Sequence, residues 1–62
     1  MKMLTIVYQE DSIFISVTNI LMGSGRTCYI PYDSPKANSL QLFLNGLDGL
    51  DIYENRVSVI LE

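Results

Sequence analysis

Four tyrosines are the residues of this chain with the most to offer chemically. Tyr8, Tyr29, Tyr32 and Tyr53 occur with no tryptophan and no histidine. A tyrosine combines a large apolar body with a polar tip, which suits it to protein contacts. On a basic chain, aromatics on a sheet would point to base stacking. This chain carries Lys2, Arg26, Lys36 and Arg56 against Glu10, Asp11, Asp33, Asp48, Asp51, Glu54 and Glu62, a net charge of −3. A phosphate backbone calls for a basic footprint, so no direct nucleic-acid binding is expected. Recognition of another protein is the better use of these rings.

The remaining chemistry is thin. Cys28 has no histidine to activate it, and a cysteine within a strand reads as a small core residue. Gly23-Ser24-Gly25-Arg26-Thr27 lacks the lysine and the following helix of a phosphate loop, so it reads as a turn. Asn45 to Asp51 repeats Gly-Leu-Asp, and with Glu54 offers carboxylates, but without the alternating oxygen ligands of a calcium loop. Glu10-Asp11 are adjacent on a loop and cannot flank a substrate. Ser34-Pro35 has the form of a phosphorylation site and, more simply, of a helix cap. A general acid–base set is missing, so no enzymatic activity, cofactor or metal is expected.

The elements that position these residues follow from periodicity. Residues 3–8 and 13–18 alternate as strands, joined by the polar Gln9-Glu10-Asp11-Ser12. Apolar character runs on through Ile20, Leu21 and Met22, which suggests a long or bulged second strand. Gly23-Ser24-Gly25 turns the chain into a third strand, 26–30, stopped by Pro31. Ser34 and Pro35 open a helix over 35–45, with Ala37, Leu40, Leu44 and Leu47 on one stripe, Phe43 widening it and Leu42 off it. Gly46 is placed to end it as a left-handed C′ residue. A short strand 51–53, a turn at Glu54-Asn55 and a main strand 56–61 complete the chain.

The expected fold is a small single α+β domain over residues 1–62, a sheet of four or five strands with one helix on one face, in the order β-β-β-α-β(β). The helix is expected to cover Leu4, Ile6, Ile13, Ile15, Val17, Cys28, Ile30, Val57 and Val59. The last strand is expected beside the first and parallel to it, as a crossover would place it.

Within residues 3–8, 13–18 and 57–61 both faces are free of charge. A sheet with one wet face normally alternates apolar with strongly polar residues. The second face here carries Met3, Val7, Phe14, Tyr29 and Ile60 among hydroxyl residues, so these five are candidates for self-association. Sixty-two residues, 48% of them hydrophobic, make a marginal core without help. One cysteine excludes an internal disulfide, which leaves association as the common remedy.

The function expected is therefore protein binding without catalysis. The chain would be a small regulator or inhibitor acting by contact on a larger protein, a task common among viral and mobile-element proteins of this size. Tyr32, Asp48, Asp51, Tyr53 and Glu54 are the candidate partner-binding residues, and they favour a partner with a basic surface. The alternative is a self-assembling subunit, a homodimer joined through its sheet. No membrane span or export signal is legible, and an unpaired cysteine suits the reducing cytoplasm.

Overall fold

A computed structural model describes residues 1–61. Five strands and one helix follow in the order β1 (Lys2–Tyr8), β2 (Ser12–Asn19), β3 (Gly25–Pro31), α1 (Pro35–Asn45), β4 (Asp51–Tyr53) and β5 (Arg56–Leu61). The strands form one antiparallel sheet in the spatial order β3-β2-β1-β5-β4. This is the α+β architecture read from the sequence, with the five-strand form realised.

The pairing of β1 with β5 corrects one expectation. β5 runs antiparallel to β1, with Leu4 opposite Val59 and Ile6 opposite Val57. The crossover from β3 lands on the short β4, whose direction it shares. The turn at Glu54-Asn55 then reverses the chain before it meets β1. Glu54, not Asn55, takes the positive φ of that turn, at 52°. Asn55 instead ties the turn to β1: its Nδ2 donates to Tyr8 O at 3.0 Å, and Tyr8 N–H donates to Asn55 O at 2.8 Å.

The helix begins as its sequence implies. Ser34 Oγ accepts from Lys36 N–H at 3.2 Å, and Pro35 occupies the first turn. Its end differs. Gly46 is right-handed, with φ −90°. Gly46 N–H donates to Phe43 O at 3.2 Å and Leu47 N–H to Leu44 O at 3.1 Å, a tightened last turn that satisfies the terminal carbonyls. The left-handed position falls later, at Gly49, φ 77°.

The core lies between α1 and one sheet face. Leu4, Ile6, Ile13, Leu44, Val57 and Val59 are buried, and Ile15, Val17, Ile30, Ala37, Leu40 and Leu47 pack against them. Two expected members are absent. Cys28 shares the helix-side face but is exposed. Phe43 is half exposed, while Leu42 is exposed as expected. The helix starts beside the β3 edge and leads to the β4 edge, and it leaves the middle of β3 uncovered.

The β2–β3 turn corrects the long-strand expectation. β2 ends at Asn19, whose Oδ1 accepts from Leu21 and Met22 N–H, both at 3.2 Å. This side-chain turn carries Leu21 and Met22 away from the sheet, while Ile20 N–H still donates to Met1 O at 3.1 Å. Leu21 is 83% exposed as a result. Among the described residues no helix is long and apolar enough to cross a membrane.

Candidate protein-docking face

Sheet register fixes what the face away from the helix displays. Side chains alternate across a strand, so the partners of Val7 and Thr5 share their face. One row across the sheet reads Tyr29, Phe14, Val7, Arg56, Tyr53. The next reads Thr27, Ser16, Thr5, Ser58, Asp51, and a third reads Gly25, Thr18, Met3, Ile60. The face is thus an apolar and aromatic row interrupted by one cation, a hydroxyl row ending in one carboxylate, and an apolar corner.

Among the described residues, no other element lies over these rows. The central residues Thr5, Val7, Phe14, Ser16 and Ser58 are shielded only by their neighbours and remain half-buried. The ends are open: Tyr29 is 63% exposed and Tyr53 is 70% exposed. Phe14 and Tyr29 pack with ring centroids 5.2 Å apart and planes tilted by 56°. Such a cross-strand aromatic pair holds Tyr29 upright on the face.

All five residues read from the sequence as candidates for self-association, Met3, Val7, Phe14, Tyr29 and Ile60, lie on this face. The face is not free of charge, as the strand patterns implied. Each final strand starts one position earlier in the ladder than the apolar alternation does, which brings Arg56 and Asp51 onto it. Arg56 was legible as a cation in the sequence, and its place follows once Val57 and Val59 are assigned inward.

The partner-binding candidates divide. Asp51 and Tyr53 end the hydroxyl and aromatic rows, with Glu54 on the following turn and Asp48 on the preceding loop, all exposed along the β4 edge. Tyr32 is not with them. It follows β3, on the opposite edge, with three strands between. Four strand spacings separate those edges by about 19 Å. The Tyr32 hydroxyl donates to Gln9 O, so this ring braces the β1–β2 loop. Tyr8 lies on the helix side and packs against the core. Tyr29 and Tyr53, half of the tyrosines, thus lie on the open face.

Two concavities among the described residues adjoin these elements. A cleft of about 150 Å³ is lined by Met3, Ile60, Asp51, Ser58, Val59 and Gly49. It joins residues from both candidate sets at one corner of the face. The second, an open groove of about 610 Å³, lies at the β2–β3 end between Lys2, Val17, Asn19, Ser24, Gly25 and Arg26. It gathers two of the four cations, which are far apart in sequence and carried no signal of proximity.

No family model, curated protein or solved structure matches this chain, so its own surface carries the functional argument.

Proposed function

We propose that this chain is a non-enzymatic protein-binding module, a small regulator or inhibitor that acts by contact through the open face of its sheet. The uncovered set of rows ending in Tyr29, Tyr53 and Ile60 carries this reading. A folded monomer of 7.0 kDa exposes about 4,000 Å² by the usual scaling, whereas this chain exposes 4702 Å². The surplus, roughly 650 Å², is close to the ~800 Å² that one partner contributes to a standard interface.

The chemistry of the face favours a separate partner over a permanent self-interface. Obligate interfaces resemble a core cut in half, while exchangeable ones mix polar area with Tyr, Phe, Met and Arg. A hydroxyl row across the middle of the face fits the second kind. The β4 edge sets the partner's polarity. Asp48, Asp51 and Glu54 favour a basic counterpart, and the Met3–Ile60–Asp51 cleft suits a lysine or arginine. Its stem would lie on the two apolar side chains and its head on the carboxylate. The reducing cytoplasm is the setting that fits an exposed Cys28.

The test has two stages. A tagged chain captures its partner from lysate, and affinity for that purified partner is then measured with variants. Asp48→Asn, Asp51→Asn and Glu54→Gln combined should weaken binding about tenfold, with the loss shrinking at high salt. Ile60→Asp should abolish it. Unchanged affinity in both variants would remove this face from the account.

A further inference from the structure

β3 is the longer of the two sheet edges, and its backbone has groups to spare. Their direction follows from the ladder. Asn19 N–H donates to Ser24 O at 2.7 Å, which extends the β2–β3 register by one pair. Gln9 N–H donates to Ser12 O at 3.0 Å, which extends the β1–β2 register in the same way. Successive residues of a strand send their backbone groups to opposite sides. Arg26, Cys28 and Ile30 therefore bond inward to β2, while Gly25, Thr27 and Tyr29 point outward. Among the described residues, no loop or side-chain hydrogen bond reaches the Thr27 or Tyr29 amide. The β4 edge is only three residues long, and within it only Ile52 points outward.

Long edges are ordinarily blunted by lysine, proline, a bulge or a covering element. Here Pro31 and Arg26 stand near the two ends of β3, and among the described residues nothing guards Thr27-Cys28-Tyr29. The exposure of Cys28 on the helix side shows that α1 does not overhang this edge.

We infer that β3 pairs antiparallel with β3 of a second copy, about a two-fold axis through Cys28, so that two sheets become one. Centring on Cys28 is the register that uses the whole of Gly25–Pro31. Thr27 then exchanges both of its backbone bonds with Tyr29 of the second copy, and the symmetry repeats the exchange. The two Cys28 residues meet as a non-hydrogen-bonded pair, with Cα atoms about 4.5 Å apart. Arg26, the one charged residue of the strand, faces Ile30 of the second copy and avoids its own charge. This fit of the strand to itself is what selects a second copy over a foreign strand. The axis stands perpendicular to the sheet, so both docking faces lie on the same side. The aromatic row of one copy runs into the hydroxyl row of the other. The pairing leaves the docking face free and stands whether or not that face holds a partner.

Thr27→Pro tests this directly, because it removes an outward N–H while leaving the bonds to β2 in place. Light scattering would be read from about 10 μM to about 1 mM, the range in which small interfaces associate. The average mass should climb from 7.0 kDa toward twice that value, and the Thr27→Pro variant should stay at 7.0 kDa. Tyr53→Asp, on the far side of the docking face, should dimerise as the parent does. Amide exchange on the unmodified chain gives a readout that needs no variant. Thr27 and Tyr29 should exchange at least tenfold more slowly at the top of the range than at the bottom. A mass of 7.0 kDa throughout, a dimer that survives Thr27→Pro, a dimer lost with Tyr53→Asp, or Thr27 and Tyr29 amides indifferent to concentration would each overturn the inference.

Discussion

Single residues decide this structure where backbone meets backbone. Gly25 is the clearest case, since a Cβ there would stand 2.8 Å from Val17 O. That contact is with main chain and cannot be relieved by a rotamer. Gly25→Ala should therefore lower stability by about 1–3 kcal/mol, the range for overpacking, seen as a reduced midpoint in urea unfolding. Gly23 makes a useful contrast, since its Cβ would meet nothing within 4 Å and its φ is 71°. Gly23→Ala should cost only the left-handed penalty of about 1–2 kcal/mol. Equal effects of a bulky Val at both positions would contradict the close approach at Gly25. At this scale the sequence is least legible. Cys28 reads as a core residue because the strand pattern points it inward, but nothing in that pattern tells how far a helix reaches. Phe43 fails for the same reason, on the helix's side of the same boundary.

Elements are more legible, because each is set by local chemistry. The helix limits were readable from Ser34, Pro35 and the spacing of Ala37, Leu40 and Leu44. Ser34→Ala should remove the bond to Lys36 N–H and cost about 1 kcal/mol, lowering the melting temperature without changing the helical circular dichroism signal at low temperature. A melting temperature equal to the parent's would show that water replaces the cap. The strands were readable from alternation, and their faces survive every shift of boundary by one residue. What alternation does not encode is direction. A three-residue strand between α1 and β5 is enough to reverse β5 relative to β1, and its alternation is too short to show whether it pairs at all. Arg56 and Asp51 reach the open face by parity instead, because Val57 and Val59 point inward and their neighbours must point out. Both belong to the ladder of the β4–β5 hairpin, with Asp51 opposite Ser58 and Tyr53 opposite Arg56.

The whole molecule has its charge and its apolar surface unevenly spread. Glu10, Asp11, Asp33 and Glu54 lie at the end of the sheet that holds the β1–β2 and β4–β5 turns. Lys2 and Arg26 flank the groove at the other end, beside the exposed Ile20-Leu21-Met22 turn. The candidate site was half legible at this scale. Met3, Val7, Phe14, Tyr29 and Ile60 could be grouped because each belongs to an alternating strand. Tyr32 could not be separated from Tyr53, since only the strand order shows that they stand on opposite edges.

That strand order has one more consequence. β1 and β5 are neighbours, and Lys2 is the Cα partner of Leu61, so the first and last strands run side by side with their outer ends together. The backbone could be rewired without disturbing a single pairing. A short glycine-rich linker would join residue 62 to residue 1, turning β5 and β1 into a hairpin. New termini would open between Leu21 and Met22, in a turn whose side chains support no core. Such a circular permutant should keep the amide chemical-shift pattern of β1, β2 and β5. Loss of that pattern would mean that the order in which the chain is threaded, and not only the final set of contacts, is needed to build this sheet.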